Sequence, residues 1–423
     1  EWYYCFFSKI IHYFKKDITF NIEIEKDIAN EKRGLKKKGK KIYENILYSI
    51  QDRLRNSNNA FISHTYLPYF QEKKIELIFR QIPNFYKPVN SQSKKHINTE
   101  LRKKYTSFLN SNEDTDKKNI ENFIYLNIFN FLPKSFLENY YYNFKQSQSN
   151  IFPKNPKLIF TSSLNFFDEI FKIYAACQMN NNKPIFIGQH GNNYFSRIHN
   201  NYMPELNYAT KFLSWGYENP KFKNVKGLFN FKTINQNKVR KKRTRKKLII
   251  FLSHLSTVAD NLFYYPQEIP KSLQRIKLFL KNLRKDIKDN TILRINDTFF
   301  RKTYGLIYFE YVKNFGVEID HGKINFEKLL KDAKLCIFNY DSTGFLENSC
   351  NNFPSIMNLG NDYLNFINDD FVEKYKDLER NKIAFFNEHS LSNHINDIWK
   401  KIDDWWESDN IQNCLKQFNH QFN

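Results

Sequence analysis

Apolar residues along this chain fall into two rhythms. Short runs dense in apolar residues stand at Lys157–Thr161, Pro184–Gly188, Lys211–Gly216, Leu248–Ser253, Thr291–Arg294, Leu335–Phe338 and Ser355–Met357. Between them, Phe167–Met179, Gln267–Lys288, Phe299–Phe315, Asn325–Ala333 and Gly344–Cys350 repeat apolar residues at the spacing of one helix face. Strand-length runs alternating with helix-length ones predict βαβ units and a parallel α/β fold. Before residue 151 the texture is helical: Ile42, Ile46, Leu47 and Ile50 share a face, and Asn119–Phe131 is amphipathic up to Pro133. Ser91–Lys118, polar throughout, reads as a loop or a solvent-facing helix. At the other end Ile395, Ile398, Trp399, Ile402 and Trp405 recur at helical spacing, which predicts a helical tail packed on a domain surface. A polar, basic stretch over 232–247 interrupts the alternation. These breaks predict a domain over 1–235, a second over 236–390, and a tail over 391–423 that packs back on the first.

Length agrees with that division, since single cores stop growing well below 423 residues. With 41% hydrophobic, 17% aromatic and 26% charged residues the balance is globular. A net charge of +22 attracts anions at long range: phosphorylated substrates, lipid headgroups or nucleic acid. Much of the excess lies in Lys36–Lys41 and Arg240–Lys247, each either a solvated run or a contact with an anionic membrane. Nucleic acid ranks last, because no zinc-finger spacing or RNP-like aromatic motif accompanies the charge. Cys5, Cys177, Cys336, Cys350 and Cys414 are scattered and imply neither a disulfide framework nor a zinc site. No apolar run reaches the ~18 residues of a membrane span and no signal peptide is evident. The expected location is the cytoplasm, with peripheral contact at the inner face of the membrane. The chain begins at Glu1 without a methionine, as a fragment or a trimmed chain would.

Three strand ends carry candidate chemistry. Gly188-Gln189-His190-Gly191 follows the run Pro184–Gly188, and in open α/β sheets ligands bind beyond the carboxyl ends of strands. His190 is either a base toward an acceptor hydroxyl, a donor to a phosphate, or a residue satisfying its own loop. Asp341-Ser342-Thr343-Gly344 follows the run Leu335–Phe338 and opens a helix, whose N–H groups and positive dipole end suit a phosphate. Glu347, one turn on, can reach a ribose diol; the alternative is a helix cap with a surface Glu. Arg294 ends a strand, suited to a bidentate phosphate contact or equally to a structural pair. His254 is a weaker candidate of the same kind. Glu205 precedes Ser214-Trp215-Gly216-Tyr217, where Trp215 either stacks on a ligand or packs in the core.

Five blocks in order, Phe61–Pro83, Pro156–Tyr194, Leu213–Tyr217, Asp341–Pro354 and Ile398–Phe418, resemble the O-antigen-locus transferases, surface-polysaccharide enzymes related to the GT-B glycosyltransferases. The resemblance implies an α/β, GT-B-like architecture: two Rossmann-like domains facing a cleft, acceptor-side over 1–235 and nucleotide-donor over 236–390, with the C-terminal helical tail. It implies transfer of a sugar from a nucleotide-activated donor to a surface polysaccharide, O-antigen or capsule, with no metal and no further cofactor. On the matching motifs His190, Gln189 and Glu205 are the catalytic candidates. Arg294, Asp341, Ser342, Thr343, Gly344 and Glu347 are the nucleotide-binding ones. Expected partners are the nucleotide-sugar, a glycan or lipid-linked glycan acceptor and an anionic membrane, not nucleic acid. A CDP-polyol phosphotransferase of the same architecture and a catalytically silent membrane-associated binding subunit are the alternatives. The chain departs from the family pattern at Asn192 and Phe195, where glycines are usual, at Tyr217 for a Trp, and at Thr210 for an acid.

Overall fold

The computed structural model describes residues 59–83, 86, 97–110, 120–149, 151–192, 194–198, 204–234, 245–252, 268–295, 315–324 and 326–422. The helix expected around Ile42–Ile50, the Lys36–Lys41 run, residues 240–244 of the second basic run, His254, and the helix expected over 299–315, save Phe315, lie outside them.

The described strands form two sheets. One has the order β1-β2-β3-β4-β5, from β1 (Ala60–Ile62), β2 (Leu158–Thr161), β3 (Ile185–Gly188), β4 (Lys211–Ser214) and β5 (Val225–Gly227). The other has the order β11-β10-β9-β6-β7-β8, from β6 (Lys247–Phe251), β7 (Thr291–Arg294), β8 (Glu318–Asp320), β9 (Ala333–Phe338), β10 (Ser355–Asn358) and β11 (Ala384–Phe385). The pairings within these sheets, such as Ile249 opposite Ile292 and Cys336, run parallel. The α/β class with two parallel sheets and a helical tail is therefore the one expected. The chain forms two compact units, residues 1–65 with 69–186, and residues 66–68 with 187–423.

In the first unit the core is aromatic. Phe61 of β1 packs edge-on to Tyr86 at 5.1 Å and stacks on Phe171 at 5.3 Å, and Phe152 stacks on Tyr174 at 4.3 Å. Asp168 serves two elements: it caps the helix Glu169–Asn180 by accepting from the Phe171 amide at 2.9 Å, and it accepts from the Tyr86 hydroxyl. Arg102, on the helix Thr99–Asn110, forks onto the Glu138 carboxylate with two bonds of 2.7 Å and donates to the Phe129 carbonyl at the end of the helix Ile120–Phe131.

In the second unit β6 and β9 are buried almost throughout, as strands covered on both faces must be. Leu248, Ile250, Leu335 and Ile337 meet Ile276, Phe279 and Leu280 of the helix Glu268–Asn282 in one core. The tail joins the same core. Leu391, Ile395, Ile398, Trp399 and Ile402 belong to it, and Arg284 holds Asn396 by bonds of 3.0 and 2.8 Å. Further on, Phe418 of the helix Asp409–Phe422 meets Phe345 at 6.2 Å and Tyr375 at 5.9 Å, Asn419 accepts from Ser349 at 2.9 Å, and the buried Trp406 donates to Asn352 at 2.8 Å. The helix Thr343–Cys350 is thus gripped from behind by the tail.

Arg102 and Glu138 are both buried, and the Arg102 bond holds the Glu138 carboxyl down at about 2 against an ordinary 4.5. An acid depressed in this way stabilises the fold above its unfolded value, and the gain disappears as pH falls through the folded one. Glu138→Gln should cost about 3 kcal/mol at neutral pH. The difference in unfolding midpoint between variant and parent should close as pH falls from 4.5 toward about 2. A difference that persists unchanged at the acid end would place the cost elsewhere.

Candidate functional site

The loop after β3 is built around a side-chain amide. Gln189 is buried; its Oε1 accepts the Trp215 amide at 2.9 Å, its Nε2 donates to the Gly191 carbonyl at 2.7 Å, and its own N–H bonds Leu213 at 2.9 Å. Both ends of the amide are therefore engaged in fixing backbone, which makes Gln189 the residue that aims His190. Trp215 itself is buried to 1% exposure and packs in the core.

His190 faces a tyrosine and, through it, a carboxylate. Its Nδ1 is in hydrogen-bond contact with the Tyr194 hydroxyl, and that hydroxyl donates to Glu205 Oε1 at 3.0 Å. A tyrosine hydroxyl has one proton to give. With that proton on the Glu205 side, the phenolic oxygen accepts from Nδ1–H, which makes Nε2 the basic nitrogen of the ring. Burial, and then the Lys232 charge, lower the His190 pKa to about 4, so the ring is neutral at physiological pH. Burial raises both Glu205 and Tyr194. Tyr66 lies nearly parallel to the imidazole at 6.3 Å, and Lys232 Nζ is 5.0 Å over the Tyr66 ring.

The loop after β9 meets this loop directly. The Asn192 amide donates to Thr343 Oγ1 at 3.1 Å, and Asn192 Nδ2 donates to Asp341 Oδ1 at 2.5 Å. Asp341 also accepts from the Tyr363 and Tyr375 hydroxyls at 2.5 Å each; it is buried, and burial raises its pKa against those three donors and the nearby Arg197. Ser342 caps the helix Thr343–Cys350 by accepting from Gly344 N at 3.0 Å. A Cβ on Gly344 would stand 2.8 Å from Phe338 Cε1, so glycine there answers to packing. Of the residues expected to hold a nucleotide, then, Asp341 has its oxygens committed to the fold, whereas the Ser342 and Thr343 hydroxyls each accept one backbone N–H and keep a proton to give. Glu347 is paired with Lys232 at 3.1 Å. Arg294 makes the structural pairing that is one of its two readings: its guanidinium bonds Asp320 at 2.6 Å and the Ile324 carbonyl at 2.7 Å.

Reasoning from the sequence missed Lys232, Tyr66 and the part played by Tyr194. Tyr194 was legible as part of the Gly-Gln-His-Gly block, but no periodicity or motif marks Lys232 among 66 Lys and Arg residues. Two of the positions that depart from the family pattern touch, Phe195 on Tyr217 at 4.6 Å; Tyr217 also packs on Phe371 at 5.1 Å, and Asn192 supplies the bonds to Asp341 and Thr343. Among the described residues no group of three or more His, Cys, Asp or Glu stands close enough to hold a metal ion.

The family model of the LIC12162 family transferases matches residues 1–423, and the chain belongs to that family. Its structure is similar to that of S. aureus MnaA solved with UDP, at 13% identity over 70% of this chain and 84% of that one, TM-score 0.39. It is also similar to the glycotransferase of kitacinnamycin, at 10% identity over 69% and 80% of the two chains, TM-score 0.37. The wall teichoic acid polymerase TagF is similar at 11% identity over 63% and 68%, TM-score 0.33. No curated protein matches the sequence.

The packing of Gly344 is testable. Phe338 is buried and stacks on Phe251 at 4.8 Å, so it has little room to yield to a methyl group at position 344. Gly344→Ala should destabilise by about 1–3 kcal/mol. Adding Phe338→Leu should cost less in the Gly344→Ala background than in the parent. Additive costs in that double-mutant cycle would remove the steric explanation.

Proposed function

We propose that this member of the LIC12162 transferase family moves a glycosyl residue from a nucleotide-activated sugar to a hydroxyl of a growing surface polysaccharide, O-antigen or capsule. The observation that carries the reading is the Glu205–Tyr194–His190 chain, which supports a neutral imidazole whose basic nitrogen is Nε2. Such a group removes the proton of an attacking hydroxyl as the new bond forms. The leaving nucleotide develops phosphate charge. Lys232 and the Thr343 hydroxyl, with the start of the helix Thr343–Cys350, are the groups suited to stabilise it. Glu347 keeps a candidate role toward the ribose, shared with its hold on Lys232. The base chemistry of His190 would serve phosphopolyol transfer equally; the choice of a sugar follows from the five sequence blocks.

The test begins with nucleotide-sugars and CDP-polyols offered with a glycan acceptor, the transferred group being read by mass. With the donor that turns over, His190→Ala should lower turnover about a hundredfold or more while nucleotide affinity holds. The parent's kcat/KM should stay level through mildly acid pH and fall as the pH nears 4, where His190 takes up its proton. Lys232→Gln removes a charge that depresses that proton uptake and should move the acid limb upward. Full turnover by His190→Ala, or an acid limb at the ordinary histidine value of 6.5, would sink the assignment.

A further inference from the structure

The helix Tyr69–Ile78 is turned inside out. Its inward side carries charge: Glu76 is 2% exposed, Lys73 bonds both Glu76 oxygens at 2.8 Å, and Glu72 accepts from the Thr65 amide at 3.0 Å and the Thr65 hydroxyl at 2.5 Å. Its outward side is apolar, with Phe70 82%, Leu77 62% and Ile78 65% exposed. At 100° per residue Phe70, Lys74, Leu77 and Ile78 share one face, opposite Glu72 and Glu76. A surface helix in water has the reverse arrangement. Such a face is suited to a partner, and its charges indicate the kind. Lys74 stands amid the apolar residues and Arg80 follows the helix, both exposed, with no carboxylate among them. A two-fold contact with a second copy of this short face would bring Lys74 against Lys74, whereas an apolar face with cations and a chain charge of +22 complements an anionic lipid surface.

We propose that the outer face of Tyr69–Ile78 docks the protein on an anionic membrane, with Phe70, Leu77 and Ile78 entering the headgroup–acyl boundary and Lys74 and Arg80 held at the lipid phosphates. The contact is peripheral. No described helix is long and apolar enough to cross a bilayer, and the proposal does not depend on which group the protein transfers.

Co-sedimentation of the full chain with phosphatidylcholine vesicles, with and without phosphatidylglycerol, tests it. The parent should bind the anionic vesicles, more weakly in high salt. Phe70→Ser, Leu77→Ser and Ile78→Ser combined should reduce partitioning at least about tenfold, and Lys74→Gln or Arg80→Gln about fivefold each. Because the three apolar residues are exposed, the combined variant should keep the parent's unfolding midpoint. If it does not fold, Phe70→Trp decides: brominated phosphatidylglycerol should quench the fluorescence the new residue adds. Absence of parental binding to anionic vesicles, undiminished binding by the apolar variant, or an unquenched Trp overturns the proposal. So does a parental dimer in sedimentation velocity that the apolar variant abolishes, which would give the face to a second copy.

Discussion

A buried carboxylate holds the candidate site together. Asp341 gives its oxygens to Asn192 of one loop and to two tyrosines, Tyr363 and Tyr375, from elements that follow it in sequence. Burying such a group is costly unless its lone pairs are met, and here three donors and the field of Arg197 offset part of a cost that still raises its pKa. Because the donors come from separate segments, the carboxylate acts as a knot: the loop after β3 and the loop after β9 cannot drift apart without leaving it underbonded. The Asn192 amide on Thr343 then follows almost by geometry.

Around that knot, residues divide by whether their polar atoms are consumed by the fold. Gln189 and Asp341 are consumed, and their value lies in rigidity. His190, Lys232, Glu347 and the Thr343 hydroxyl are placed by the others. A site built in this way separates positioning from chemistry, which is how a partly buried imidazole can be kept neutral and oriented at once. It also accounts for the departures at Asn192, Phe195 and Tyr217. Asn192 contributes a side-chain amide that glycine lacks, and Phe195 fills space against Tyr217, so that the last two positions are coupled.

Much of the fold was legible because parallel strands buried on both faces write themselves as apolar runs. Leu248–Ser253 and Leu335–Phe338 became β6 and β9, and Gly344–Cys350 began one residue earlier, at Thr343. Short edge elements were not legible. β8, Glu-Ile-Asp, has no run to recognise, and β11 has two residues. β1 is three residues among serines and threonines. The single helix read over Gln267–Lys288 is two, Glu268–Asn282 and Lys285–Lys288, separated where Arg284 turns to bond Asn396. At the site, motif reasoning found the loops, while the partners of their atoms inside the fold carry no sequence signal. An Asp-Ser-Thr-Gly turn that binds phosphate and one that merely caps a helix have the same letters, and only the partners of each oxygen tell them apart.

The grip of the tail on the helix Thr343–Cys350 has a consequence in time. On the ribosome, chains emerge from the N-terminus, and folding units assemble as their parts become available. The strands of the second sheet and the helix behind Glu347 are synthesised well before Trp406, Phe418 and Asn419, the residues that brace that helix from the rear. A nascent chain can thus complete its sheet while the wall behind its candidate site is still missing. The brace is complete only once the helix Asp409–Phe422 packs against Phe345, and a chain stalled before that point would carry the strands without it.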